Sequence, residues 1–96
     1  MAILLAGDLG GTKTLLGLFD SAHSPPLRLK VSRFRTLDFD GLHTMIKVFL
    51  TGHHGSIESA CLGVSGPVQH NASHLTNIPW LVDAEDISAS FSIPCV

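Results

Sequence analysis

Ala6-Gly7-Asp8-Leu9-Gly10-Gly11-Thr12-Lys13-Thr14-Leu15-Leu16-Gly17-Leu18-Phe19-Asp20 is the stretch that decides the fold of this 96-residue chain. Ahead of it, Ile3, Leu4, Leu5 and Ala6 make a continuous apolar run, the pattern of a strand covered on both faces. Thr14 to Phe19 is apolar in the same way and predicts a second strand directly after the first. Between the two, Gly10 and Gly11 accept φ > 0 without a Cβ clash. From glycine spacing alone, two readings stand side by side. One is an ordinary β-hairpin whose Gly-Gly satisfies turn geometry. The other is a turn whose successive N–H groups converge on an anion.

The residues around the glycines favour the second. Thr12 adds a hydroxyl and Lys13 a compact positive charge, both suited to phosphate oxygens. Asp8, where the first strand runs out, would repel phosphate directly, so its expected task is to hold Mg²⁺ or order its water shell. The spacing is not that of G-x-x-x-x-G-K-[ST], which leads into a helix. Nor do Gly7, Gly10 and Gly11 fit the dinucleotide fingerprint G-x-G-x-x-G.

Working outward, Ser21 to Pro26 reads as a turn. Leu27, Leu29 and Val31 alternate with Arg28, Lys30 and Ser32, which predicts a half-exposed third strand with Arg28, Lys30, Arg33 and Arg35 on its solvent face. Leu42, Met45, Ile46, Phe49 and Leu50 recur at helical spacing, with Asp40 as N-cap and Gly52 as stop. Ser59 to Val64 predicts a short buried strand ending at Ser65-Gly66-Pro67. Asp83 with Asp86 marks a helix start, and Ala84, Ile87 and Phe91 supply its apolar stripe. Ile93 to Val96 resembles the opening of another strand.

Composition bounds the rest. Apolar residues are 45% and charged residues 15%, which is globular and not disordered. Ninety-six residues make one small domain at most. A mean hydropathy of +0.35 suggests strands made to be covered. No apolar run approaches membrane-spanning length, and Asp8 interrupts the N-terminal one before it could serve as a signal core. No membrane association is expected, and the cytoplasm is the default location. A net charge of −2 gives no electrostatic case for nucleic acid. Cys61 and Cys95 fall in apolar segments and are expected to be buried free thiols. His53-His54 and the pair His70 and His74 lack a matching Cys or carboxylate at a zinc-site spacing, and Asn71 to Ser73 reads as a turn.

Three segments carry a family resemblance. Leu5-Ala6-Gly7-Asp8-Leu9-Gly10-Gly11-Thr12-Lys13-Thr14 resembles the first phosphate motif of sugar kinases with the actin-like ATPase fold. Leu62-Gly63-Val64-Ser65-Gly66-Pro67-Val68 and Leu75-Thr76-Asn77-Ile78-Pro79-Trp80 resemble two further segments of bacterial-type glucokinases, in the family's order. The resemblance implies an α/β fold: a mixed β-sheet with flanking helices, the first part of an actin-like (ribonuclease-H-like) ATPase domain, with residues 1–96 a truncated N-terminal portion. Strand, strand, strand, helix, strand is that domain's opening order.

It further implies ATP and Mg²⁺ as cofactors, with Gly7, Asp8, Leu9, Gly10, Gly11, Thr12 and Lys13 around the phosphates and Asp8 at the metal. Without the resemblance, Ser65-Gly66-Pro67 would read as a plain strand-ending turn. With it, Ser65, Gly66 and Pro67 become one wall of a pocket for glucose or a similar hexose. Asn77 becomes a sugar contact, and Trp80 an anchor for its loop. The implied activity is ATP-dependent phosphorylation of glucose to glucose 6-phosphate. The implied base, an aspartate in an Asn-Asp-Phe segment, is expected beyond Val96, so the chain alone is expected to be inactive. The alternative is a noncatalytic nucleotide- or sugar-binding module. Strands left without neighbours predict a homo-oligomer, or assembly with the remainder of the kinase.

Overall fold

The computed structural model describes residues 2–53, 55–64, 72–74, 81–94 and 96. A four-stranded mixed sheet is built from β1 (Ile3–Leu9), β2 (Lys13–Asp20), β3 (Leu27–Arg35) and β4 (Ser59–Val64), in the order β3-β2-β1-β4. β1 and β2 are an antiparallel hairpin in which Leu9 faces Thr14 and Ile3 faces Asp20. β4 returns parallel to β1, with Leu9 beside Val64. That return requires a crossover, and α1 (Leu42–Phe49) lies in the connection. β5 (Ala72–His74) and β6 (Leu81–Asp83) form a separate antiparallel pair, and α2 (Ala84–Phe91) follows β6 directly. Ala72 and Ser73 therefore belong to a strand and not to the expected turn. No strand is present at Ile93 and Pro94.

One face of the sheet holds the core. Ile3, Leu5 and Leu9 of β1, with Leu16 and Leu18 of β2, pack with Leu42, Met45, Ile46 and Phe49 of α1. Ile57, Ala60, Val82, Ile87 and Ile93 complete the cluster. The helical stripe in residues 42–49 is thus the stripe that covers the sheet. Its start differs from expectation. Gly41 is the N-cap without a side-chain cap bond, and Asp40 Oδ1 instead accepts the Thr44 hydroxyl at 2.6 Å. Gly52, past the helix end, has φ 85°, which suits a glycine stop. For α2 the sequence reading holds: Asp83 caps it by accepting the Glu85 amide at 2.9 Å, while Ala84 and Ile87 are buried.

Three expectations about exposure are corrected. The outward-facing side of β1 is only half-buried at Leu4 and Ala6 and open at Asp8, so the strand is covered on one face. β4 is an edge strand on which Ala60 alone is buried. Cys61, aligned with Ala6 on its outward side, is a free and exposed thiol. In β3 the alternation is broken by a bulge, because Leu18 pairs with Lys30 but Phe19 pairs with Arg28, leaving Leu29 as the extra residue. Lys30, in phase with Ser32 and Phe34, lies on the helix side, while the bulge puts Arg28 on the opposite face beside Phe19. Lys30 Nζ donates to Phe49 O at 2.8 Å and lies 4.8 Å from the Phe49 ring centroid. Leu27, Leu29 and Val31 remain exposed. No helix among the described residues is long and apolar enough to cross a membrane.

Candidate functional site: the Gly10–Lys13 turn

The turn joins β1 to β2 at the carboxyl end of β1, beside the carboxyl end of β4, since Leu9 and Val64 are aligned in parallel register. In open α/β sheets ligands gather beyond strand carboxyl ends. Gly10 donates its amide to Lys13 O at 3.0 Å. A Cβ on Gly10 would stand 2.8 Å from that same carbonyl oxygen, so close approach is what requires glycine here. Positive φ is not the reason: the described glycines that adopt it are Gly52 and Gly55.

The turn is held from β3. Thr36, which opens a 3-10 turn (Thr36–Asp38) directly after β3, is fully buried, and so is Thr14. The Thr36 hydroxyl donates to Gly10 O at 2.7 Å, and the Thr36 amide donates to Thr12 O at 3.0 Å. The two threonine hydroxyls are 2.9 Å apart. Because the single proton of Thr36 is directed at Gly10 O, Thr14 is the donor between them. Among the described residues, the amides of Gly11 and Thr12 have no hydrogen-bond partner. Two adjacent N–H donors without partners, on a braced turn, suit an anion.

Side-chain placement divides the seven residues assigned to the motif. Gly7 lies on the core side, where a Cβ would meet Leu62 Cδ2 at 2.8 Å and Leu16 Cδ2 at 3.0 Å. Leu9 is a core side chain. Asp8 points to the opposite, open face, beside Leu15 and Gly63. Lys13, two residues before Leu15 on β2, shares that face and stands directly opposite Arg35. Like charges placed across a strand pair are mutually unfavourable, and a polyanion at the turn would relieve them. A lone exposed carboxylate close to such an anion fits Mg²⁺, which is held by one or two carboxylates together with substrate phosphates and water.

Ser65, Gly66, Pro67, Asn77 and Trp80 lie outside the described residues, as do His54, His70 and Cys95. His53 Nε2 is buried without a partner among the described residues. It borders a cavity of about 280 Å³ lined by Leu18, Leu29, Lys30, Thr51 and Gly52, at the far end of β2 from the turn. The residues missed from sequence are Thr14 and Thr36. The available signal was the position of Thr14 on the core-facing side of β2, in phase with Leu16 and Leu18, because a buried hydroxyl requires a partner.

The glucokinase family model matches residues 5–96. A glucokinase of Nostoc sp. is 37% identical over 99 residues, covering all of this chain and 29% of that protein. One from Salmonella arizonae is 32% identical over 76 residues, covering 79% of this chain and 23% of its own length. The crystal structure of a glucokinase from an Antarctic psychrotroph superposes with a TM-score of 0.84 at 29% identity, covering 99% of this chain and 31% of that one. A structure from Listeria monocytogenes, 15% identical, shares the fold at a TM-score of 0.67 over 97% of this chain and 33% of its own. The chain therefore spans less than a third of the length of the curated relatives named here. With its glycine-turn hairpin, mixed sheet and match from Leu5 to Val96, this chain belongs to the glucokinase family.

Proposed function

We propose that the chain supplies the nucleotide-phosphate side of a kinase site that phosphorylates glucose or a similar hexose from ATP. The observation that carries this reading is the braced Gly10–Lys13 turn with the Gly11 and Thr12 amides free of partners among the described residues. In this assignment those amides, the Thr12 hydroxyl and Lys13 bind phosphate oxygens. Asp8 orders the shell of Mg²⁺, which when bound neutralises charge on the β- and γ-phosphates.

In the complete reaction, the hydroxymethyl oxygen of the sugar forms a bond to the γ-phosphorus while the bond to the β-phosphate oxygen breaks and ADP leaves. The hydroxyl proton passes to a carboxylate base beside the sugar. Ser65 to Pro67 and Asn77 are assigned to the sugar side by family resemblance. A cytoplasmic setting follows from the same assignment. Assembly with the remainder of the kinase, or with further copies of the chain, is supported by Leu15, Leu27, Leu29 and Val31 lying exposed on β2 and β3.

Isothermal titration of the chain with Mg-ATP, glucose and both together, beside a glucose 6-phosphate assay, tests the proposal. Binding of Mg-ATP without turnover is the expected result. Absence of Mg-ATP binding would remove the assignment for this chain. Asp8→Ala is expected to weaken Mg-ATP binding about tenfold, with little change in stability because the side chain is exposed. The metal role fails if the variant keeps wild-type affinity across a magnesium titration.

A further inference from the structure

We infer that Thr36 is a positioning residue for nucleotide phosphate: without touching the ligand, it sets the direction of the Gly11 amide, one of the two unpartnered donors among the described residues, and of the Lys13 amide. The inference rests on the phosphate assignment of that turn. In a simple two-residue hairpin the two residues flanking the turn exchange both backbone hydrogen bonds, which closes the mouth. Here only half of that exchange is made. Gly10 donates to Lys13 O at 3.0 Å, but its own carbonyl accepts from the Thr36 hydroxyl at 2.7 Å.

Peptide planarity turns this contact into an orientation. In a trans peptide the C=O of one residue and the N–H of the next point in opposite directions. Drawing Gly10 C=O to Thr36 therefore sends the Gly11 N–H away from Thr36. The same holds one peptide pair later, because Thr12 C=O accepts the Thr36 amide at 3.0 Å and sends the Lys13 N–H away. One residue from the end of β3 thus fixes two peptide planes of a turn some two dozen positions earlier in the chain. Thr14 holds the Thr36 side chain in place by donating to its hydroxyl at 2.9 Å. Burial of both threonines keeps water from replacing these bonds. A turn ordered before the ligand arrives loses less conformational freedom on binding.

Thr36→Val keeps the shape and the backbone amide but removes the hydroxyl, and Thr36→Ser keeps the hydroxyl. Two readouts are needed in the 96-residue chain. The first is hydrogen exchange at the Gly10 and Thr36 amides, compared with core amides of Leu5 and Leu16. Thr36→Val is expected to speed exchange at the first two by about tenfold over any change at the second two, and Thr36→Ser to restore it. The second is Mg-ATP titration, in which Thr36→Val is expected to weaken binding roughly tenfold and Thr36→Ser to recover it. Thr36→Ala carries the same expectations and covers the case in which valine overpacks the site.

Exchange that rises equally at all four amides, or not at all, overturns the inference. So does Mg-ATP binding that is unchanged in Thr36→Val. A wild-type chain that binds no Mg-ATP overturns the phosphate assignment alone, and the exchange comparison then still upholds or overturns the brace.

Discussion

Phe49→Ala is expected to lower the stability of the chain by about 3–5 kcal/mol, the cost typical of emptying a large buried aromatic site. Phe49 is the largest fully buried side chain described, and it closes the core at the last turn of α1. Phe34 meets it edge-on, with ring centroids 6.1 Å apart, and the Lys30 ammonium sits 4.8 Å above its ring. Removing the ring takes away both contacts and leaves a cavity between α1 and β3. Domains of this size hold roughly 5–15 kcal/mol in total, small ones toward the lower end. The variant should therefore be largely unfolded on mild warming.

Lys30→Met is the informative companion. It keeps much of the packing stem but loses the charge over the ring and the hydrogen bond to Phe49 O at 2.8 Å. A loss of about 1–2 kcal/mol is expected there, from one charge-assisted bond and one partly exposed cation–π contact. Urea unfolding followed by far-UV circular dichroism reads both variants. A Phe49→Ala loss below that of Lys30→Met would mean that α1 is not what covers the sheet.

The hairpin, the α1 stripe and the Asp83 cap were legible because each is written within a few neighbouring residues. Leu42, Met45, Ile46 and Phe49 carry a helical period, and Asp83 reaches an amide only two residues away. What stayed hidden depended on distant partners. The strict alternation of Leu27, Leu29 and Val31 with charged residues conceals the bulge at Leu29, since an inserted residue leaves composition unchanged while reversing faces. Cys61 looks buried in an apolar run, but the sheet order places β4 at an edge. The Thr14–Thr36 pair joins residues 22 apart, and nothing local to Thr36 marks it as a partner of the turn. The glycine-rich motif was readable as a motif, yet not how its glycines divide between the turn at Gly10 and core packing at Gly7.

That division supports the second large effect. Gly10→Ala is expected to destabilise the chain by about 1–3 kcal/mol and to weaken Mg-ATP binding by about tenfold or more. The added Cβ meets Lys13 O at 2.8 Å. That oxygen is backbone and already accepts the Gly10 amide, so the turn itself must move. Moving it draws Gly10 O away from Thr36 and reorients the Gly11 amide, so fold and site are damaged together. Gly7→Ala looks as crowded, with approaches of 2.8 and 3.0 Å, but the atoms met are the tips of Leu62 and Leu16. Leu62 is only half-buried and can rotate aside. The residual overpacking is partly offset by the roughly 0.4–1 kcal/mol that Gly→Ala gains by restricting the unfolded chain. Gly7→Ala should therefore cost less stability and leave nucleotide affinity near wild type, because the turn and its brace are untouched. Paired denaturation and Mg-ATP titration of the two variants decide the matter. An equal loss of affinity in both would place Gly7 at the phosphate and end the distinction between a packing glycine and a binding one. A loss confined to Gly10→Ala would locate the nucleotide contact in the turn that Thr36 holds.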